Sequence, residues 1–263
     1  MNLIPKKSLG QNFLTSQGAL NMIVEAADLH PHNIILEVGP GKGALTEKLL
    51  VRDVKVITVE KDDRLIPFLK ERFSEEIREE KLILVHQDIL NFDPASYGLT
   101  TGSYKIVANI PYYITGAFIR RFLETPAQPG HMVILVQKEV AQRIIAKDGK
   151  ESLFSISVKA FGMPKYIETV KAGSFSPAPN VDSAILSISH ISKDFFKNCE
   201  AEAFFKVIHA GFAHKRKQLG GNLTALAPKE KVASVLEQLG ISPKTRAEDL
   251  TLEQWKQIAQ HLH

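Results

Sequence analysis

The sequence predicts an α/β fold, a mostly parallel sheet flanked by helices, followed by a small all-helical domain. Three observations carry this prediction. Short apolar runs rich in branched residues recur along the first two thirds of the chain, a glycine-rich turn stands directly after the first of them, and beyond residue 193 the pattern becomes wholly helical.

The runs fall at Ile34–Val38, Val54–Val59, Leu82–His86, Lys105–Asn109 and Met132–Val136. Leu45–Leu50 and Leu65–Phe73 show the helical spacing of crossovers, and the alternation reads as parallel strands. DPASYGLTTGS and ETPAQPG are turn-rich connections. After Pro164, strands at Tyr166–Val170 and Ala184–Ser189, joined by the proline-rich SFSPAPNVDS, read as a hairpin closing the edge of the sheet. Residues Ser152–Phe161 alternate like a strand yet also fit a helix. From Asp194, Phe204, Phe205, Ile208 and Phe212 lie at core spacing, and the chain closes on the amphipathic LTLEQWKQIAQHL. The expected division is residues 1–192 and 193–263.

Composition narrows the class. Hydrophobic residues at 44% and charged residues at 24% suit a folded domain rather than a disordered chain. No uncharged apolar stretch reaches the ~18 residues of a membrane span, and MNLIPKKSLGQNFL lacks the apolar core of a secretory signal, so a cytoplasmic location and no membrane partner are expected. The single cysteine, Cys199, forms no internal disulfide, and the 9 histidines show no metal-ligand spacing; no metal is expected. The net charge of +4 permits an anionic partner. Basic residues gather at Lys6 and Lys7, Arg120 and Arg121, around Lys138, Arg143 and Lys147, and at Lys215, Arg216 and Lys217, whereas Glu75, Glu76, Glu79 and Glu80 form an acidic run.

Glu37-Val38-Gly39-Pro40-Gly41-Lys42-Gly43-Ala44 follows the first strand, where glycines bring backbone close to a ligand at a helix N-terminus. A nucleoside cofactor fits such a loop, but Gly39, Gly41 and Ala44 also match the dinucleotide fingerprint, so the loop leaves a nicotinamide cofactor and S-adenosylmethionine both open. Glu60 ends the second strand at about the twenty-residue spacing expected of a carboxylate that accepts from ribose hydroxyls. After the third strand, Asp88 of Gln87-Asp88-Ile89 can hold an adenine amine while Ile89 covers the ring. Three successive strand ends thus carry suitable groups, at the end of the sheet where α/β folds bind ligands.

The fourth strand ends in Asn109-Ile110-Pro111-Tyr112-Tyr113. The amine of adenine is a weak nucleophile because its lone pair is delocalised into the ring. Acceptors from the Asn109 side chain and the Ile110 carbonyl would favour a pyramidal, more reactive nitrogen, without a strong base. Pro111 fixes the turn and Tyr112 offers a stacking face, worth about 1–3 kcal/mol per base. Dehydrogenase chemistry needs no such tetrapeptide.

These residues, with Leu9-Gly10-Gln11-Asn12-Phe13-Leu14, resemble the KsgA family of rRNA adenine dimethyltransferases over nearly the whole chain. The resemblance implies a Rossmann-like S-adenosylmethionine-dependent methyltransferase domain, with the LGQNFL segment folding over the cofactor. It assigns cofactor contacts to Asn12, Leu14, Gly39, Glu60, Asp88 and Asn109, to which Gln11, Gly41 and Ile89 are added from the reading of the residues themselves. Phe175-Ser176-Pro177-Ala178-Pro179-Asn180-Val181-Asp182-Ser183 resembles a family loop that would set Phe175 against the target base opposite Tyr112. Arg246-Ala247-Glu248-Asp249-Leu250 resembles the family's carboxyl-terminal domain, expected to bind RNA.

The implied reaction places two methyl groups on each of two adjacent adenosines near the 3′ end of 16S, small-subunit, rRNA in ribosome biogenesis. The implied partner is that rRNA or an immature small subunit, and a monomer is expected. An Erm-type methyltransferase of large-subunit rRNA, which also carries Asn-Ile-Pro-Tyr, and a non-catalytic assembly or transcription factor of the same fold are the alternatives. Lys159-Ala160-Phe161 and the paired Gly220 and Gly221 depart from the family pattern.

Overall fold

The computed structural model describes residue 6, residues 10–242 and residues 244–262. Lys7 of the first basic cluster and Leu9 of the LGQNFL segment lie outside the described residues. The chain forms two compact units, one of residues 1–141 and 163–191, the other of residues 142–162 and 192–263.

The first unit opens with β1 (Phe13–Leu14) and α1 (Gln17–Ala26), whose N-terminus is capped by Ser16 accepting from the Ala19 amide at 3.3 Å. Then follow β2 (Ile34–Val38), α2 (Ala44–Leu50), β3 (Lys55–Glu60), α3 (Leu65–Arg72), α4 (Ser74–Arg78), β4 (Leu82–His86), β5 (Tyr104–Asn109), α5 (Thr115–Glu124) and β6 (His131–Gln137). Helix α6 (Lys138–Ile145) leads into the second unit with α7 (Leu153–Lys159); the chain returns for β7 (Met163–Val170), β8 (Phe175–Ser176) and β9 (Ser183–Ser189).

A seven-stranded sheet runs in the order β4-β3-β2-β5-β6-β9-β7. The first five strands are parallel; β9 alone runs against them, pairing antiparallel with β6 and with β7, as expected of a mixed edge. The later strand of the hairpin, β9, lies inside against β6, while β7 is the edge. Pro164 and the exposed Met163 of β7 suit an edge, where a missing donor breaks no inner ladder. Strand order reverses at β2, whose neighbours are β3 on one side and β5 on the other. A crevice at the carboxyl ends of these strands is the natural ligand site of an open α/β sheet.

In the second unit, α7 resolves the ambiguous segment as helix. Ser152 caps it, accepting from the Ser155 amide at 3.0 Å, while Ser155 returns a bond to the Ser152 amide at 2.6 Å, a local device that overrides the strand-like alternation. Helices α8 (Ala201–Gly211), α9 (Leu219–Leu223), α10 (Lys229–Gln238) and α11 (Leu252–Leu262) complete the unit. Its core holds Ile156, Phe204, Ile208, Leu223 and Trp255. Trp255, Ile258, Ala259 and Leu262 are the buried stripe of α11. Among the described residues no helix is long and apolar enough to cross a membrane.

Candidate functional site

The carboxyl ends of β2, β3, β4 and β5 surround a cavity of about 260 Å³. Its wall includes Val38, Gly39 and Gly41 after β2, Glu60 and Lys61 after β3, Gln87, Asp88 and Ile89 after β4, and the run Asn109–Ile114 after β5. Gly10, Gln11, Asn12, Phe13 and Phe175 complete it. All the sequence-predicted site residues therefore converge on one cavity, apart from the Leu14 side chain.

Leu14 is buried in the apolar core, and its neighbour Phe13 lines the cavity instead. The reason is the two-residue alternation of a strand: β1 pairs antiparallel with β8, Leu14 opposite Phe175 and Phe13 opposite Ser176, so successive side chains point to opposite faces. Phe13 also explains a glycine. Gly41 has φ of +58°, and a Cβ there would lie 2.8 Å from the Phe13 ring. At Gly39, φ is +68° and a Cβ would come 3.1 Å from the Asn109 carbonyl oxygen. The loop is a backbone cradle that any side chain would fill.

Glu60 is buried at the cavity wall, its Oε1 accepting from the amides of Lys61 and Asp62, each at 2.8 Å. Burial pushes its pKa up, and the backbone amides of Asp62, Lys61 and Gly41 oppose the rise. Since Oε1 already receives two donors, Oε2 carries most of the capacity left for a ligand. Asp88 accepts from Lys61 Nζ at 2.7 Å and from the Leu90 amide at 3.0 Å; the Lys61 bond holds its carboxyl below the usual range, and it stays ionised.

Gln11 acts as a strap. Its Nε2 donates to Asp62 at 2.9 Å and its Oε1 accepts from the Lys6 amide at 2.8 Å, tying the amino-terminal segment to the loop after Glu60. Arg64 donates to the same Asp62 carboxylate, and is the largest influence holding that group far below its ordinary pKa.

Asn109 closes β5, in register with Leu135 of β6. Its Nδ2 donates to the Asn12 backbone carbonyl at 3.4 Å. A carbonyl can only accept, so this contact turns the amide nitrogen toward Asn12 and leaves Oδ1 as the acceptor end of a cavity-wall side chain. Pro111, at φ −58°, turns the chain so that the Ile114 amide closes onto its carbonyl at 3.2 Å, and Tyr112 begins that turn. Tyr112 is half-buried, with its hydroxyl 2.6 Å from Ser183 Oγ. Phe175 is 5% exposed: it belongs to the core and lines the cavity at once.

Glu37 is an acid inside the apolar run Ile34–Val38, a signal in itself that the residue does more than pack. It is fully buried, accepts from Thr46 Oγ1 at 2.7 Å and stands in register with Thr58. Burial raises its pKa from 4.5 to about 7, the hydroxyls of Thr46 and Thr58 limiting the rise. Between those values the folded chain keeps a proton that the unfolded chain has lost. Wild-type stability therefore falls as pH rises from 4.5 to about 7, and the cost is complete above that. Glu37→Gln should gain on the wild type by about 3 kcal/mol between pH 4.5 and pH 8. Denaturant unfolding at several pH values checks this; parallel profiles for the two proteins would refute it.

Of the basic clusters, several cations are already engaged. Lys6 lies 3.6 Å from both Asp62 and Asp63, Arg120 pairs with Glu124, and Arg121 donates to the Phe92 carbonyl. Lys215, Arg216 and Lys217 are exposed and carry no ion pair among the described residues.

The cradle and strand-end carboxylates at the strand-order reversal would suit any nucleoside cofactor; the Asn-Ile-Pro-Tyr turn beside them marks a Rossmann-like methyltransferase. The chain matches the family model described as ribosomal RNA adenine dimethylase over residues 3–263. It is 45% identical over 258 residues to ribosomal RNA small subunit methyltransferase A of Dehalococcoides mccartyi strain CBDB1, covering 96% of this chain and 87% of the relative. The enzyme of the same name from Fusobacterium nucleatum is 40% identical, with 96% of each chain covered. Among solved structures, a dimethyladenosine transferase from Plasmodium falciparum superposes with a TM-score of 0.80 at 26% identity, over 94% of this chain and 95% of that one. The 23S rRNA methyltransferase ErmE superposes with a TM-score of 0.77, also at 26% identity, over 95% and 99%. This chain belongs to the ribosomal RNA adenine dimethylase family.

Proposed function

We propose that this protein transfers methyl groups from S-adenosylmethionine to the exocyclic amines of two adjacent adenosines near the 3′ end of small-subunit rRNA. The observation that carries the reading is the oriented Asn109 side chain. Its nitrogen is taken by Asn12, and its oxygen is left as an acceptor on a cavity wall that also holds Ile110, Tyr112 and Phe175.

The residues present fit the cofactor. The cradle at Gly39 and Gly41 admits a ligand only because no Cβ occupies it, and Glu60 and Asp88 are acceptors suited to ribose hydroxyls and an adenine amine. Ile89 and Phe13 supply apolar surface beside them, and Gln11 and Asn12 hold the amino-terminal segment against the cavity. When bound, S-adenosylmethionine supplies a methyl group activated by a sulfonium. The chain's own work is to orient and polarise the amine. Asn109 Oδ1 and the Ile110 carbonyl accept from it and favour a pyramidal nitrogen, while Tyr112 and Phe175 confine the base and exclude water.

The helical unit grips RNA through phosphates, using Lys215, Arg216 and Lys217. The same reading makes the protein a cytoplasmic monomer whose substrate is the rRNA itself or an immature small subunit. Small-subunit preference is supported by relatives at 40–45% identity that carry that name, against 26% for ErmE. The test is to incubate the protein with radiolabelled S-adenosylmethionine and with small or large subunits lacking the modification, then map the label. Two neighbouring adenines of the small subunit should each gain two methyl groups; label confined to the large subunit would overturn the assignment.

A further inference from the structure

We infer that Ser183, with Asp182 beside it, is a positioning residue that sets the two aromatic walls of the cavity; this rests on the reading of Tyr112 and Phe175 as faces for the target adenine. Ser183 is fully buried at the start of β9. Its backbone is in register with Gln137 of β6 on one side and Val170 of β7 on the other, so the sheet holds it from both sides. From that fixed point its Oγ lies 2.6 Å from the Tyr112 hydroxyl, across 71 positions of sequence.

A ring joined to the backbone only through its own side-chain torsions is free to change plane. A hydrogen bond at its far end removes that freedom before the base arrives. Stacking uses the face of the ring and needs no hydroxyl, so the Tyr112–Ser183 bond positions the platform rather than touching the base.

Asp182 does the equivalent for the other wall. One carboxylate oxygen accepts from the Ala172 amide at 3.0 Å and the other from Lys171 Nζ at 3.1 Å, which pins the turn that runs into Phe175. The Asp182 carbonyl also accepts from the Lys138 amide at 3.0 Å, at the start of α6. Two consecutive residues thereby tie Tyr112 and the turn that runs into Phe175 to one strand end.

The test is a double-mutant cycle with Tyr112→Phe and Ser183→Ala, read by steady-state kinetics and by the fluorescence of RNA carrying 2-aminopurine at the target adenosine. Each single change should lower kcat about fivefold, as expected for one hydrogen bond, and leave the KM for S-adenosylmethionine unchanged. The double variant should be no worse than either single one. Quenching of 2-aminopurine by stacking should weaken equally in all three. Additive losses, or a wild-type kcat and quenching in Tyr112→Phe, would overturn the inference, and the second of these needs no folded Ser183 variant. A wild-type protein that binds the RNA without altering the probe overturns the underlying reading as well, whereas quenching indifferent to the Tyr112 hydroxyl overturns this inference alone.

Discussion

Asn109→Ala is expected to lower kcat by at least about 100-fold while the protein stays folded and still binds both substrates. The magnitude follows from comparable cases: one preorganised polar group aimed at a reacting centre is worth roughly 10²–10³ in rate. The geometry makes the effect specific. Asn109 is held by the end of β5 and by its bond to Asn12, so under the proposed function its acceptor would be in place before the base enters, with no reorganisation as the amine pyramidalises. The loss should fall on kcat, since the interaction strengthens in the transition state. Equilibrium binding of S-adenosylmethionine and RNA, circular dichroism and single-turnover transfer check the three parts separately. Undiminished single-turnover rates would remove Asn109 from the chemistry.

The second large effect is on cofactor affinity. Glu60→Ala should weaken S-adenosylmethionine binding by at least about 100-fold, since charge-assisted hydrogen bonds are worth about 1.5–3 kcal/mol each and the proposed ribose contact would use two. Removing the carboxylate also strips the Lys61 and Asp62 amides of their acceptor, so the wall itself loosens. Glu60→Gln separates the two contributions. It keeps an oxygen for the backbone amides and loses the charge, and should bind the cofactor with intermediate affinity. Titration calorimetry measures both variants; wild-type affinity in Glu60→Ala would place the ribose elsewhere.

Much of this architecture was legible in the chain. Each of the five parallel strands stands within one residue of its apolar run, because a strand buried on both faces must be apolar along its length. Gly39, Glu60, Asp88 and Asn109 were legible for a related reason: each stands at or just beyond the end of such a run, and parallel strands present their ends on the same side. Other features follow from contacts between distant residues. That Phe13 rather than Leu14 faces the cavity depends on pairing with Phe175, 161 positions away from Leu14, and a shift of one residue would exchange them. Arg121, one of the sequence's clustered basic residues, donates to the Phe92 carbonyl. The helix at Leu153–Lys159 depended on a serine capping box that apolar alternation does not reveal.

By itself the amino-acid sequence determined the α/β class, the order of the strands along the chain and the residue types at four strand ends, since burial and turn chemistry act locally. The tertiary structure alone decided how those groups are held. It set the amide of Asn109 with its nitrogen on Asn12, attached Lys61 to Asp88, and bound Tyr112 to Ser183. Each of these is one hydrogen bond between residues 27 or more positions apart. No periodicity encodes such a bond, because it forms only after the sheet has brought its strand ends together.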